Sequence, residues 1–168
     1  MKMIDQLLTS MIENGKVICF ECGKEQDAIW NRVKMHAEKK GVSFDYEGIE
    51  CRCAVCHGEC FPADLADANV SLMQEAYREC AGMISLQATQ EIPSKYNIGV
   101  RPLSKVLGWG EHTFSRYYDG EIPSKRNAAL LQRVYEDPKE YRRLLCANSH
   151  KITKKNNAEK LIDCGRDY

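Results

Sequence analysis

Apolar residues recur at helical spacing at the start of the chain, where Ile4, Leu7, Leu8, Met11 and Ile12 fall on one face. This pattern predicts a short amphipathic helix stopped at Asn14-Gly15. Ile29–Lys40 is a charged stretch compatible with a helix, and Val42-Ser43-Phe44-Asp45-Tyr46 alternates as a strand does. Asn69 is placed to cap a helix over 69–81, on which Val70, Met73, Tyr77 and Ala81 share a face. Cys80 on that helix reads as a small buried apolar residue. From Ser85 on, the chain reads as short helices. One runs from the cap Ser85 through Ile92, with Pro93 ending or kinking it. Others follow over Pro102–Leu107, Glu111–Tyr118, Ser124–Glu136 and Pro138–Cys146. Gly108 and Asp119-Gly120 supply the stops, and Pro102 suits a first helical turn. Residues 150–168 are polar and lysine-rich and read as a frayed helix or tail.

These elements divide the chain into an N-terminal helix (1–16), a cysteine-bearing module (17–68), a connector helix (69–84), a five-helix module (85–148) and a C-terminal tail (149–168). The expected fold class is mainly α, with a small β-rich module in front of a domain of five short helices. The apolar content of 17–68 is too low for a self-sufficient core, so a metal is expected to organise it.

The whole chain of 168 residues carries 24 basic and 24 acidic side chains, so net charge names no partner. The balance hides an asymmetry. Residues 1–82 hold 9 basic and 14 acidic side chains, and residues 83–168 hold 15 and 10. An acidic front and a basic rear point to two modules with different partners. No apolar run of about 18 residues exists, so no membrane span is expected. The first eight residues carry an acid and lack a long apolar core, so a secretory signal is not expected either.

Nine cysteines are many for this length, and six of them lie in 19–60. An odd number without an export signal argues against a disulfide framework and for metal binding in a reducing cytoplasm. Cys19-Phe20-Glu21-Cys22 and Cys53-Ala54-Val55-Cys56 are each followed closely by glycine. Two intervening residues let both thiolates of a pair reach one ion, and two pairs close a tetrahedral site. Cys19, Cys22, Cys53 and Cys56 are thus the expected ligands of one structural Zn2+ per chain, with no open position for water or substrate. Cys51 and Cys60 flank the second pair and His57 adjoins Cys56. The repeated spacing favours Cys53 and Cys56, which leaves Cys51 and Cys60 as spectators or as substitutes under oxidation. No nucleophile–base pair is suggested by spacing, and an enzyme is not expected.

In the rear half, Leu103, Val106 and Leu107 form an apolar face, Gly108 supplies a left-handed turn, and Phe114 and Tyr117 pack the next helix back on the core. Glu111, His112, Ser115 and Arg116 then face outward, where the start of such a second helix enters a major groove. Glu111 can favour the helix dipole or accept from a cytosine amino group. Lys105, Thr113, Ser124, Lys125 and Arg126 are candidates for phosphate contacts.

The segment Leu107-Gly108-Trp109-Gly110 with Phe114-Ser115-Arg116-Tyr117 and Asp119-Gly120 resembles the core of Cro/repressor-type (XRE) helix-turn-helix domains. With the front cysteine pairs, the chain over roughly 17–146 resembles MqsA-type (YgiT-type zinc-finger) antitoxins and the N-terminal part of Panacea-type, SocA-like antitoxins. The resemblance implies a five-helix Cro/repressor-like domain and a homodimer on a palindromic operator in double-stranded DNA. It also implies repression of its own operon and a toxin protein as a further partner, in a cytoplasmic protein of a bacterium or a mobile element. By match to the motif, His112 takes the position of a base-contacting Asn and Arg116 that of a base-contacting Arg. The function expected is a sequence-specific transcriptional regulator. The alternatives are a protein-interaction module that neutralises a toxin through the zinc domain, or a thiol-based redox-sensing regulator.

Overall fold

The computed structural model describes residues 3–151. The chain forms two compact units, Met1–Ala81 and Gly82–Tyr168. The first is built on an antiparallel sheet of order β1-β2-β3, with strands Lys16–Cys19, Lys24–Lys39 and Val42–Cys53. Helix α1 (Met3–Asn14) and helix α2 (Ala63–Cys80) pack against it. No helix among the described residues is long and apolar enough to cross a membrane.

The charged stretch Ile29–Lys40 is not helical. Up to Lys39 it belongs to β2, which pairs in register with β3 from Ala28↔Cys53 to Lys39↔Val42. Half-buried Val33, Met35 and Ala37 alternate with exposed Lys34, His36 and Glu38, the period of a strand with one covered face. The two strands meet at Lys40-Gly41, where both residues have positive φ, 51° and 76°. Such a two-residue turn matches the twist of the flanking strands.

α2 starts six residues before the expected cap. Pro62, at φ −62° and ψ 147°, stands before its first turn. Asn69 is therefore inside the helix and has another task. Its side chain accepts from the Ile49 N–H and donates to the Ile49 C=O, both at 2.8 Å. Those are free backbone groups on the outer side of the edge strand β3. Further along the same edge, Cys60 N–H donates to Cys51 C=O and Cys53 N–H to Gly58 C=O, each at 2.9 Å. Leu65, Ala68 and Leu72 of α2 join Ile4, Leu8, Met11, Val17 and Ile49 in the core, and four cysteines (Cys19, Cys51, Cys53, Cys60) complete it. Tyr77 is buried with its ring 6.0 Å from that of Phe44. Of the anticipated face, Tyr77 is buried and Met73 and Ala81 are half-buried, whereas Val70 is exposed, as is Cys80, which was expected to be buried.

The second unit holds α3 (Leu86–Lys95), α4 (Val100–Val106), α5 (Thr113–Tyr118), α6 (Lys125–Glu136) and α7 (Pro138–Ala147), then a 3-10 turn at Ser149–Lys151. Ser85 caps α3 by accepting from Ala88 N–H, and Ser124 caps α6 by accepting from Asn127 N–H. Pro93 does not end α3, which runs on to Lys95. The Pro93 carbonyl accepts from Ile98 N–H at 2.9 Å in the loop that follows. Ile92, Leu103, Val106, Phe114, Leu131 and Val134 are fully buried, and Tyr96 and Tyr141 stack at 3.8 Å. The tail beyond residue 151 lies outside the described residues.

The expected fold class is corrected on two counts. With seven α-helices and a three-stranded antiparallel sheet among the described residues, the protein is a mixed α and β structure. The sheet is no minor β-rich appendage, because a 16-residue strand runs through the first unit. Nor does the second unit show a five-helix Cro/repressor-like helix-turn-helix domain. Its α4 and α5 have 7 and 6 residues, and residues 107–112 separate them. A helix-turn-helix joins its helices by a turn of about three or four residues. Two turns cause the difference. Gly108, at φ 76°, ends the first helix, and Thr113 N–H bonds Gly110 C=O in a second turn, so α5 starts only at Thr113.

Candidate metal centre

Each cysteine pair sits where a strand ends. β1 stops at Cys19, and residues 20–23 turn the chain back into β2, with Gly23 at φ 64°. β3 stops at Cys53, and residues 54–57 turn it back toward Gly58, with His57 at φ 60°. His57 N–H donates to Cys53 C=O at 3.0 Å, which closes this second loop. Inside the loops, Cys22 N–H points at the Cys19 sulfur and Val55 N–H at the Cys53 sulfur, both at 3.4 Å.

The sheet then brings the loops together. The Sγ atoms of Cys19, Cys22, Cys53 and Cys56 all lie within 4.8 Å of one another. Cys19 and Cys56 are 3.4 Å apart, and Cys22 and Cys53 are 3.9 Å apart. Four sulfurs at about 2.3 Å from a tetrahedral ion would stand about 3.8 Å from each other. The observed spacing suits a metal ion, and these are the four cysteines that spacing singled out. Cys19 and Cys53 are buried, Cys22 is half-buried and Cys56 is exposed, so one side of the cluster faces outward.

The sulfurs influence one another strongly. The Cys56 backbone N–H, followed by that of Val55, holds the Cys53 thiol down at about 7. The Cys22 thiol is pushed up to about 12 by its hydrogen bond to Cys56, then by burial and by Cys19 and Cys53. Four thiolates this close repel one another, and a divalent cation is the charge that lets all four ionise together.

Cys51 and Cys60 lie outside this set. They face each other across the Arg52↔Glu59 bridge beside β3, each only 1% exposed. Burial, then the neighbouring Cys60, pushes the Cys51 thiol up to about 11, which disfavours reactivity. His57 is exposed and not part of the cluster. Sequence reading missed this cross-strand pairing of Cys51 with Cys60, since it depends on the chain doubling back after Cys56.

The residues expected to touch DNA lie around α4, α5 and the start of α6. Phe114 N–H donates to the buried Ser104 hydroxyl at 2.8 Å and ties α5 to α4. Arg116 is on α5 with a side chain 59% exposed, its Nε 3.7 Å from the Glu121 carboxylate. Ser115, also on α5, donates its hydroxyl to His112 C=O at 2.9 Å. Glu111 and His112 are exposed but precede the helix. Lys105 on α4 is 3.9 Å from Glu111. Thr113 is half-buried at the first position of α5, Ser124 is engaged as the α6 cap, and Lys125 and Arg126 are exposed in the first turn of α6. Trp109 packs edge-on against Tyr117 at 5.7 Å, a core contact. No family model matches the chain, and no curated protein matches it.

Proposed function

We propose that the protein is a sequence-specific DNA-binding regulator whose first unit is held together by one structural Zn2+. The observation that carries the structural-metal part of this reading is the four-sulfur cluster. Its donors are all thiolates, their number and spacing suit a closed tetrahedral site, and such a site organises structure and leaves no position for a substrate. Zinc is the divalent ion suited to four thiolates without redox chemistry.

For the second unit, the supporting feature is the exposed polar surface shared by α5, the segment before it and the start of α6. Arg116 and His112 are its base-reading candidates, with Glu111 and Ser115 beside them. Lys105, Thr113, Ser124, Lys125 and Arg126 are its phosphate-contacting candidates. On binding, Arg116 exchanges Glu121 for a guanine edge and Lys105 exchanges Glu111 for a phosphate, so two surface ion pairs are given up for charge-assisted contacts. The regulation proposed is antitoxin-like autorepression by a homodimer on a palindromic operator. A gel shift of the zinc-loaded full chain on its own upstream DNA tests this. Sequence-specific retardation is expected, and binding no tighter than to random duplex at matched salt would overturn it.

A second reading rests on a separate observation. Phe20 and Val55, inside the two cysteine loops, are 79% and 64% exposed, an apolar edge on an otherwise acidic unit. It favours capture of a partner protein through the metal-bound unit. Co-purification of the neighbouring gene product, lost on Phe20→Ser with zinc retained, is the expected result.

A further inference from the structure

The β2–β3 hairpin carries a group of side chains that the metal centre and the DNA-binding reading leave unused. His36 on β2 is directly opposite Asp45 on β3, and the next pair, Glu38↔Ser43, sets Ser43 diagonally across from His36. His36 Nδ1 is 2.8 Å from Asp45 Oδ1, and the Ser43 hydroxyl is 3.0 Å from His36 Nε2. An ionised carboxylate only accepts, so Nδ1–H donates to Asp45, and in the neutral imidazole Nε2 accepts from the Ser43 hydroxyl. Lys34 Nζ, 2.8 Å from Asp45 Oδ2, holds the other carboxylate oxygen. Lys34 first, and His36 with it, keep the Asp45 carboxyl below its usual range, so it stays ionised. This is the order of groups that activates a serine: nucleophile, base, and a carboxylate that orients the base.

We propose that Ser43 is an activated nucleophile that accepts acyl groups from short-chain carboxylic esters, with His36 as its base. Asp45 is a positioning residue. The frame is firm, because all three residues lie on two strands paired in register through a two-residue turn. All three side chains are exposed, so a reagent reaches Ser43 without any opening of the fold. The neighbouring cleft, lined by Arg32, Val33, Lys34, Asp45, Tyr46 and Glu47, touches this group only through Asp45 and Lys34. Ser43 is exposed and not set in a slot, so a short ester is the class of substrate it can meet.

In the first half-reaction, Ser43 Oγ bonds to the ester carbonyl carbon and its proton passes to His36 Nε2. The carbon–oxygen bond of the alcohol then breaks, and the alcohol leaves with that proton. In the second half, water attacks the acyl-Ser43 ester, again giving a proton to His36, which returns it to Ser43 as the acid departs. The sum is ester plus water to acid plus alcohol.

The test uses the metal-loaded full chain with two probes, p-nitrophenyl acetate and a fluorophosphonate, followed by intact mass and peptide mapping. A stable adduct on Ser43 is expected from the fluorophosphonate and an acetyl adduct, trapped by acid quench, from the ester, both absent in Ser43→Ala. His36→Gln should slow the labelling about 100-fold, the lower end of what a positioned general base contributes. Asp45→Asn should slow it as well, and the His36 Nδ1–H signal in proton–nitrogen NMR should disappear, which loss of structure elsewhere would not cause. Circular dichroism confirms that the variants fold. Labelling spread over several serines or lysines, or equal rates in wild type and His36→Gln, would overturn the proposal and leave a surface hydrogen-bond network only.

Discussion

Asn69 shows how much one side chain can carry. Its amide occupies both the N–H and the C=O of Ile49 on the outer side of β3. Asn69→Ala strips both partners from a partly buried backbone unit, and each such unsatisfied group costs about 1–3 kcal/mol. Urea unfolding of the zinc-loaded protein should show that loss, whereas the exposed neighbour Val70→Ala should leave stability within about 0.5 kcal/mol. Arg116 and Lys125 belong to the same scale but act on binding. If the regulator reading holds, Arg116→Ala should weaken operator binding by about 1–3 kcal/mol per half-site and relax preference at one base pair. Lys125→Ala should instead lower affinity evenly across sequences and reduce the salt slope by about one. Both side chains are exposed, so thermal stability should hold in each variant. Binding series over operator variants at two salt concentrations separate the two effects.

At the scale of elements, the long β2–β3 hairpin is held by fit as well as by hydrogen bonds. A Cβ on Gly48 would stand 2.4 Å from Met35 Sδ and 3.1 Å from Asn69 Oδ1. Met35 is flexible, but Asn69 is anchored on Ile49 and cannot retreat without breaking its bonds. Gly48→Ala should therefore cost about 1–3 kcal/mol, the usual range for overpacking. Met35→Ala in the same chain should recover part of that loss, and a double-mutant cycle reads the coupling. Additive losses would show that the pressure falls on Asn69 and not on Met35. The two cysteine loops, residues 20–23 and 54–57, are elements of a different kind. Each exists because a strand ends at a cysteine and the chain reverses within four residues, so the sheet sets where the four sulfurs meet.

For the whole molecule, the two units should respond differently to loss of metal. The core of Met1–Ala81 includes Cys19 and Cys53, two of the four proposed ligands, and is otherwise small. Chelation, or Cys19→Ser, should unfold that unit, while helicity from Gly82–Tyr168, with its own apolar core, should persist. Circular dichroism with zinc analysis on the full chain checks this, and a fully folded zinc-free chain would count against it. Acid should act in the same direction. Binding requires all four sulfurs deprotonated, and Cys22, at about 12 without an ion, must release a proton. Proton release on binding means that affinity falls as pH falls. Competition with a chromogenic chelator should show weaker zinc binding at about pH 6 than at about pH 8.

Local signals read correctly were those whose cause is local. Paired cysteines two apart, with glycine close behind, specify a loop whatever surrounds it, and Cys19, Cys22, Cys53 and Cys56 were legible for that reason. Ser85 as a helix cap was legible too, since a cap bonds only three residues ahead. Ile29–Lys40 was not, because its residues favour a helix when alone, and only pairing with β3 supplies the hydrogen bonds and the covered face that make it a strand. Asn69 looked like a cap because asparagine usually is one, and its true partner, Ile49, is twenty residues away along the chain. The meeting of His36, Ser43 and Asp45 has the same origin, since strand register and not spacing sets which side chains touch. The amino-acid sequence by itself determined the four-cysteine cluster, the Ser85 cap and the charge asymmetry. Tertiary structure alone decided the sheet, the true start of α5 and the hairpin cluster, because each depends on contacts or turns whose energy no local window contains.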